Sequence, residues 1–251
     1  MSCFVFLSRF ALLLGVVTLP IAAAAQDTKM FAEVIYTYTD DSAAVFRQIK
    51  ELHRAKPKYY ARTADHLRDQ YYVNRTLVFQ LRFHESRSVF ELRPQLRLDT
   101  ENKYLYNLAV LHTKANRRYA LDQATRDRRY EESAMESDSL YHVVEAYDKY
   151  SWQLHDTTKT VAGYRCRQAT YEYTFVDLDG IEKSVHVTAW YAPDLPYPYG
   201  PAGYDGLPGL ILELTSVMNR GRTYRAASVR IDRNSSERVP ALGVPDRVIE
   251  Q

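Results

Sequence analysis

Apolar residues recur at every second position through much of this chain. From Tyr71 to Phe83, the residues Tyr71, Val73, Leu77, Phe79, Leu81 and Phe83 share one side of an extended backbone, with Asn74, Thr76, Gln80 and Arg82 on the other. That spacing predicts a long strand with a single buried face. The polar stretch His84 to Arg87 breaks the pattern before Ser88 to Leu92, so the two runs read as a hairpin. A second hairpin has the clearest turn. Tyr171 to Val176 and Ser184 to Tyr191 flank Asp179-Gly180, a pair that supplies the positive backbone angles of a tight turn. In its second run, Val185, Val187, Ala189 and Tyr191 alternate with His186, Thr188 and Trp190. Further strands are expected over 31–39, 105–111, 140–146, 210–217 and 223–231.

Helix is scarcer. Asp41 or Ser42 is placed to cap a helix carrying Val45, Phe46, Ile49, Leu52 and His53 on one side and ending before Pro57. The stretch 58–70 fits a helix or a loop. Strands in series with hairpin turns and few helices predict a mainly β fold, an antiparallel curved sheet or open barrel with one or two helices; a two-sheet β-sandwich is the alternative. No internal repeat or low-complexity linker interrupts the chain. Residues 26–233 therefore read as one β-rich domain, and 234–251, with Pro240, Gly243 and Pro245, as an exposed, loosely ordered tail.

The first 25 residues follow another logic. Arg9 is the only charge before Asp27, and an apolar run from Phe10 to Ala25 ends in four alanines, the order of a cleavable secretory signal. Its 16 residues fall short of the roughly 20 that a membrane-spanning helix needs. The expectation is an exported protein that begins near Gln26, in the periplasm, on the outer surface or outside the cell, with no transmembrane segment in the mature chain. Taking Arg9 from the 33 basic residues leaves 32 against 31 acidic ones, and the arginines are interleaved with acids, as in Arg126 to Glu132. Such a mixed run reads as a solvated face and offers nothing for nucleic acid. Twenty-one tyrosines suit a half-exposed sheet first and a ligand surface second.

From Trp190 to Gly209 the chain holds five prolines and four glycines, a composition that cannot lie within a sheet. A stiff connection of this length, studded with Trp190, Tyr191, Tyr197, Tyr199 and Tyr204, is a candidate aromatic rim for a peptide, glycan or lipid. It ends in Gly206-Leu207-Pro208-Gly209-Leu210-Ile211. That string resembles the signature of the GLPGLI family of exported proteins, described mainly from Bacteroidota. Lys159 with Gly163, Tyr164 and Cys166 is similar to the family's lysine, Gly-Tyr and cysteine element, and Trp190-Tyr191 to Pro196 with Gly200-Pro201 to its lead-in. The resemblance runs over roughly 71–231 and implies a signal peptide and an envelope location, with no established reaction. Taken by itself, the Gly206 to Ile211 element also reads as a rigid turn feeding a core strand, with Leu207 and Leu210 as buried plugs.

Catalytic signals are sparse. Cys166 is left unpaired once Cys3 departs with the signal, and its flanking Arg165 and Arg167 point to the opposite face of a strand. The seven histidines lack the short spacing of a zinc site, no Gly-x-Ser-x-Gly elbow occurs, and the prolines remove amides that a phosphate cradle would use. No cofactor, metal or catalytic residue is assigned. The leading reading is a non-catalytic envelope binding or accessory module, whose partner would be an envelope protein, peptide, glycan or lipid. An exported hydrolase or thiol enzyme using Cys166 with a histidine such as His186 is the alternative, and a purely structural surface role a third.

Overall fold

The alternating runs assemble into one open sheet. The computed structural model describes residues 29–55, 57–96, 102–133, 139–177, 179–218 and 221–250; the segment read as a signal peptide lies outside the described residues. In chain order the elements are β1 (Lys29–Asp40), α1 (Ser42–Ala55), α2 (Pro57–Asn74), β2 (Val78–Phe83), β3 (Arg87–Leu92), α3 (Lys103–Thr113), β4 (Arg117–Asp122), β5 (Asp127–Ser133), β6 (Leu140–Val144), β7 (Gln153–Val161), β8 (Tyr164–Val176), β9 (Glu182–Ala192), β10 (Leu210–Val217), β11 (Gly221–Ser235) and β12 (Arg247–Glu250). The strand order is β12-β6-β5-β4-β3-β2-β1-β11-β10-β9-β8-β7. Every neighbouring pair is antiparallel except β12 with β6. The sheet does not close, so the expected curved antiparallel sheet with few helices forms; among the described residues the strands make one sheet, not the two of a sandwich.

Register assigns the two faces. Val34, Leu81, Phe90, Tyr119, Tyr130 and Val143 lie directly opposite one another across six strands and so share the inner face. Tyr36, Tyr38, Phe79 and Tyr224 join them there and are almost wholly buried. Their rings pack edge-on or tilted, as in Phe79 with Tyr224 at 5.1 Å and Tyr38 with Tyr224 at 5.2 Å. Burying one such ring contributes about 1.5–3 kcal/mol. Each phenol also finds an acceptor: Tyr36 donates to Ile211 O at 2.6 Å, Tyr38 to Asp40 at 3.0 Å and Tyr224 to Thr113 O at 3.4 Å. The tyrosine bias therefore serves the core.

Glu91 sits on the opposite face, where it accepts from Gln80 at 2.9 Å and Arg118 at 2.7 Å and is also paired with Arg82. Arg118 continues the row to Glu131 at 3.1 Å. On the other half of the sheet, Glu213 holds Lys159 at 2.5 Å and Arg225 at 3.3 Å. Chain from the tail lies over this polar row: Ala241 O accepts from Arg118, and the Gly243 N–H donates to Glu131. Residues 247–250 are exposed, but they are tied to the sheet as β12. At the other margin, β7 is interrupted by an irregularity between Leu154 and Thr158.

Several expectations need correction. Residues 71–74 close α2 and are not strand, and β2 begins only at Val78. Tyr71 and Leu77 are both buried, but across the end of a helix, where Thr76 N–H and Oγ1 both bond to Val73 O. Gln80 is buried as well, because the second face of β2 carries the ion-pair row. Residues 105–111 are the body of α3: Asn102 caps it by accepting from Leu105 N–H at 3.1 Å, and the buried Ala109 and Thr113 are four apart, one helical turn. The mixed run 126–132 is not a solvated face. It forms most of β5, in which Arg128, Tyr130 and Glu131 are buried, and β4 pairs with it. The strands β4, β5 and β7 escaped the periodicity because their inward positions include arginines and threonines.

Two outcomes follow. Gly209 has φ +155°, and a side chain there would collide with the Ala192 carbonyl, so Gly209→Ala should destabilise by about 3 kcal/mol in urea titrations. For Glu91, burial opposes ionisation, but Gln80, Arg118 and Arg82 outweigh it and hold the pKa below its ordinary 4.5. The folded pKa is thus below the unfolded one, so the stabilisation is present above about pH 4.5 and is lost as the pH falls through the lower folded value. Thermal melts from pH 7 to pH 3 should show this loss, and Glu91→Gln should flatten it.

Candidate functional site

The connection after β9 folds back onto the inner face. Leu210 N–H donates to Leu195 O, Ile211 N–H to Tyr199 O and Gly206 N–H to Pro198 O, so the segment satisfies its own backbone despite its prolines. Leu207, Leu210 and Ile211 are buried, while Gly206 and Pro208 are exposed. A short 3₁₀ turn at Pro201–Gly203 crosses β4 so closely that a Cβ at Gly203 would lie 2.6 Å from the Tyr119 ring. The Gly206 to Ile211 element is thus a plug and strand entry.

Arg128 fixes this segment from below. Its side chain is 3% exposed and reaches Glu145 at 3.3 Å, Asp205, the Gly203 carbonyl and the face of Tyr150 at 4.6 Å. Trp152 donates to the Asp205 carbonyl at 2.7 Å, and Tyr204 stacks on Tyr150 at 4.8 Å and 21°. Burial pushes the Asp205 carboxyl up to about 6, with Arg128 pulling the other way.

The five aromatics expected to form one rim are divided. Trp190 lies on the outer face above Lys159, 4.2 Å from its ammonium. Tyr191 and Tyr199 are core residues, 3% and 1% exposed, and Tyr199 donates to Glu85 O at 3.2 Å. Tyr197 packs on Phe83 at 5.0 Å. Tyr204 alone of the five borders the main concavity; the segment otherwise packs against the sheet and, through Pro198, Asp205 and Gly206, walls a separate pocket of about 170 Å³ that none of the five aromatics lines.

That concavity lies between the end of α3 and strands β8 to β11. It comprises a groove of about 590 Å³ and an adjoining cleft of about 200 Å³, which share Lys114, Tyr173, Ser216 and Arg222. Alternation along β8 puts Tyr171, Tyr173 and Phe175 in a row, with ring centroids 5.7 and 6.5 Å apart and planes inclined by 25° and 36°. Tyr171 is braced by Tyr150 and Trp152 at 5.3 and 5.8 Å. Tyr173 and Phe175 stay open, at 37% and 38% exposure. Lys114 enters as the left-handed C-cap of α3, its N–H closing on Leu111 O and Val110 O. Burial first, and then the charges of Arg117 and Arg222, lower its pKa despite Glu132. Arg117 pairs with Glu132 at 2.9 Å and Lys149 with Glu145 at 2.6 Å, whereas Lys114 and Arg222 form no ion pair with a described carboxylate. The hairpin alternation foreshadowed the aromatic row; the two cations carried no sequence signal, because α3 and the sheet bring them together from 108 positions apart.

Cys166 is fully buried and free, and its thiol faces Tyr164 O at 3.5 Å. Burial pushes the thiol up to about 11, against weaker pulls from the Val161 backbone and Lys159. His186 pairs with Glu172 at 3.4 Å, at a register six residues along β8 from Cys166, about 20 Å at the rise of a strand. The histidine named as a base is therefore remote from the sulfur. No group of three or more His, Cys, Asp or Glu that would hold a metal occurs among the described residues, and no described helix is long and apolar enough to cross a membrane. At pH 7, a maleimide should label Cys166 only on unfolding in urea, with mass spectrometry as the readout; rapid labelling of the native chain would contradict this placement.

A family model described as a protein of unknown function (Porph_ging), the GLPGLI-type family, matches residues 175–213. No curated protein matches the chain. Among solved structures, PNGF-II in its C2 and P21 space groups is similar at TM-scores of 0.48 and 0.46 and at 11% and 12% identity. The alignments cover 88% and 89% of this chain and 31% and 32% of those, so the chain spans about a third of their length. Over residues 175–213, which run from the end of β8 through the plug into β10, the chain carries the sequence of the GLPGLI-type family, whose function is unknown.

Proposed function

We propose that this is an exported, non-catalytic binding module of the cell envelope, and that its ligand lies along the concave groove. The carrying observation is the β8 row: two exposed rings, Tyr173 and Phe175, held in line by a third that is braced from behind, at the edge of a groove of about 590 Å³. Large rings kept open to solvent lose apolar burial, and a preformed platform recovers it when a ligand covers them. The core position of Cys166 supports the binding reading over the thiol-enzyme one, since the thiolate is the reactive form. The N-terminal run from Phe10 to Ala25 supports export.

Screening on an array of envelope oligosaccharides and peptides tests the binding role. Tyr173→Ala with Phe175→Ala should weaken a detected interaction by about tenfold or more at nearly unchanged Tm. Tyr197→Ala should leave binding intact, and Tyr199→Ala should instead destabilise by about 3 kcal/mol. An array without hits, or hits indifferent to the double variant, would refute the groove. For export, N-terminal sequencing of the protein from its native envelope should begin near Gln26.

A further inference from the structure

The groove is charged where it meets the cleft. Lys114 from the end of α3 and Arg222 from the start of β11 line both of its chambers, and Ser216 lies directly opposite Arg222 on β10 with its hydroxyl group available as a third donor. The nearest candidate to neutralise Arg222 is Asp40, its register partner on β1. Asp40 is buried and committed elsewhere, accepting from the Tyr38 hydroxyl at 3.0 Å and from the Asn74 amide at 2.7 Å. The other lining cations, Arg117 and Lys149, have carboxylates of their own. Two cations thus line the same chambers, with neither in an ion pair with a described carboxylate. Like charges converge in this way at a cost that a bound anion removes.

We infer that the groove takes an acidic polysaccharide, with a carboxylate or sulfate seated between Lys114 and Arg222 and the neighbouring sugar rings laid on Tyr173 and Phe175. This rests on the binding reading above and names its ligand class. Tyr173 and Phe175 present ring faces on the inner side of the sheet, perpendicular to the one edge of β8 that β7 leaves unpaired beyond Thr170, so a ligand lying on the rings is held by its faces and not as an added strand. A single nucleic-acid strand needs cations spaced along its whole backbone. Here the unpaired cations are only two, and they sit together with Tyr173 where the groove and the cleft meet. Pyranose rings offer apolar faces to flat aromatics and hydroxyls to the surrounding polar groups, which suits a groove that is open and mixed in character.

Binding of hexagalacturonate and of its fully methyl-esterified form, measured by calorimetry with the intact mature chain, separates the charge from the sugar; hexa-aspartate and a dT hexamer serve as the peptide and nucleic-acid probes. The acid should bind at least about tenfold more tightly than the ester, and Lys114→Gln and Arg222→Gln should each remove about tenfold from the acid alone, the scale of one charged hydrogen bond. Lys114 caps α3 through its backbone N–H, which Lys114→Gln keeps, so this variant reports even if Arg222→Gln unfolds, and Tm is followed for both. Equal binding of acid and ester, abolished in both by Tyr173→Ala, would overturn the acidic site and keep the groove. Hexa-aspartate or the dT hexamer binding more tightly than hexagalacturonate would replace the glycan with that class. Failure of both hexagalacturonate forms to bind would overturn the inference, while the array result would still stand or fall separately.

Discussion

The inner face depends on one buried charge. A guanidinium in apolar surroundings is tolerable only when it is surrounded by acceptors, and Arg128 draws its own from two distant stretches of chain: Glu145 beyond β6, and Gly203 with Asp205 in the proline-rich segment. Those contacts pin the segment across β4, and the stacked pair Tyr150 and Tyr204 follows from the same fixation. The mouth of the smaller cleft therefore has a defined wall. Removing either side of this arrangement would leave a buried charge without a partner, a far larger penalty than the loss of any single contact on the surface.

Strands with a purely apolar inward face were legible as sequence. The two hairpins, β1, α1, β10 and β11 follow from alternation, from Asp179-Gly180 and from the cap at Asp41, whose carboxylate accepts from Ala44 N–H at 3.2 Å. Where polar residues face inward, alternation misleads. Arg128 has the composition of a surface residue and the position of a core one, and nothing local to it shows that Asp205 will arrive 77 positions later. Over 105–111 a largely apolar run was read as a strand, and it is helix because of the cap at Asn102 and a buried stripe that only the tertiary structure defines.

The Gly206 to Ile211 string and the candidate site occupy different places, although the family match begins at Phe175. Gly206 to Ile211 is mainly packing and turn, with its leucines and isoleucine in the core, Gly209 where backbone passes close to Ala192, and Gly206 at an exposed turn of positive φ. The open rings and unpaired cations come from β8, α3 and β11. A motif recognisable in sequence can thus specify how a sheet is plugged while the surface that meets a ligand is set by residues of ordinary appearance.

The irregularity in β7 bears on what an unclosed sheet of this width can do at its margin. A straight terminal strand presents a row of free amides and carbonyls that a second chain can copy. Between Leu154 and Thr158 the hydrogen-bond rhythm of β7 slips, and the same short stretch carries His155 and Asp156. An incoming strand would lose register within a few residues there, which makes this margin a stop for the sheet.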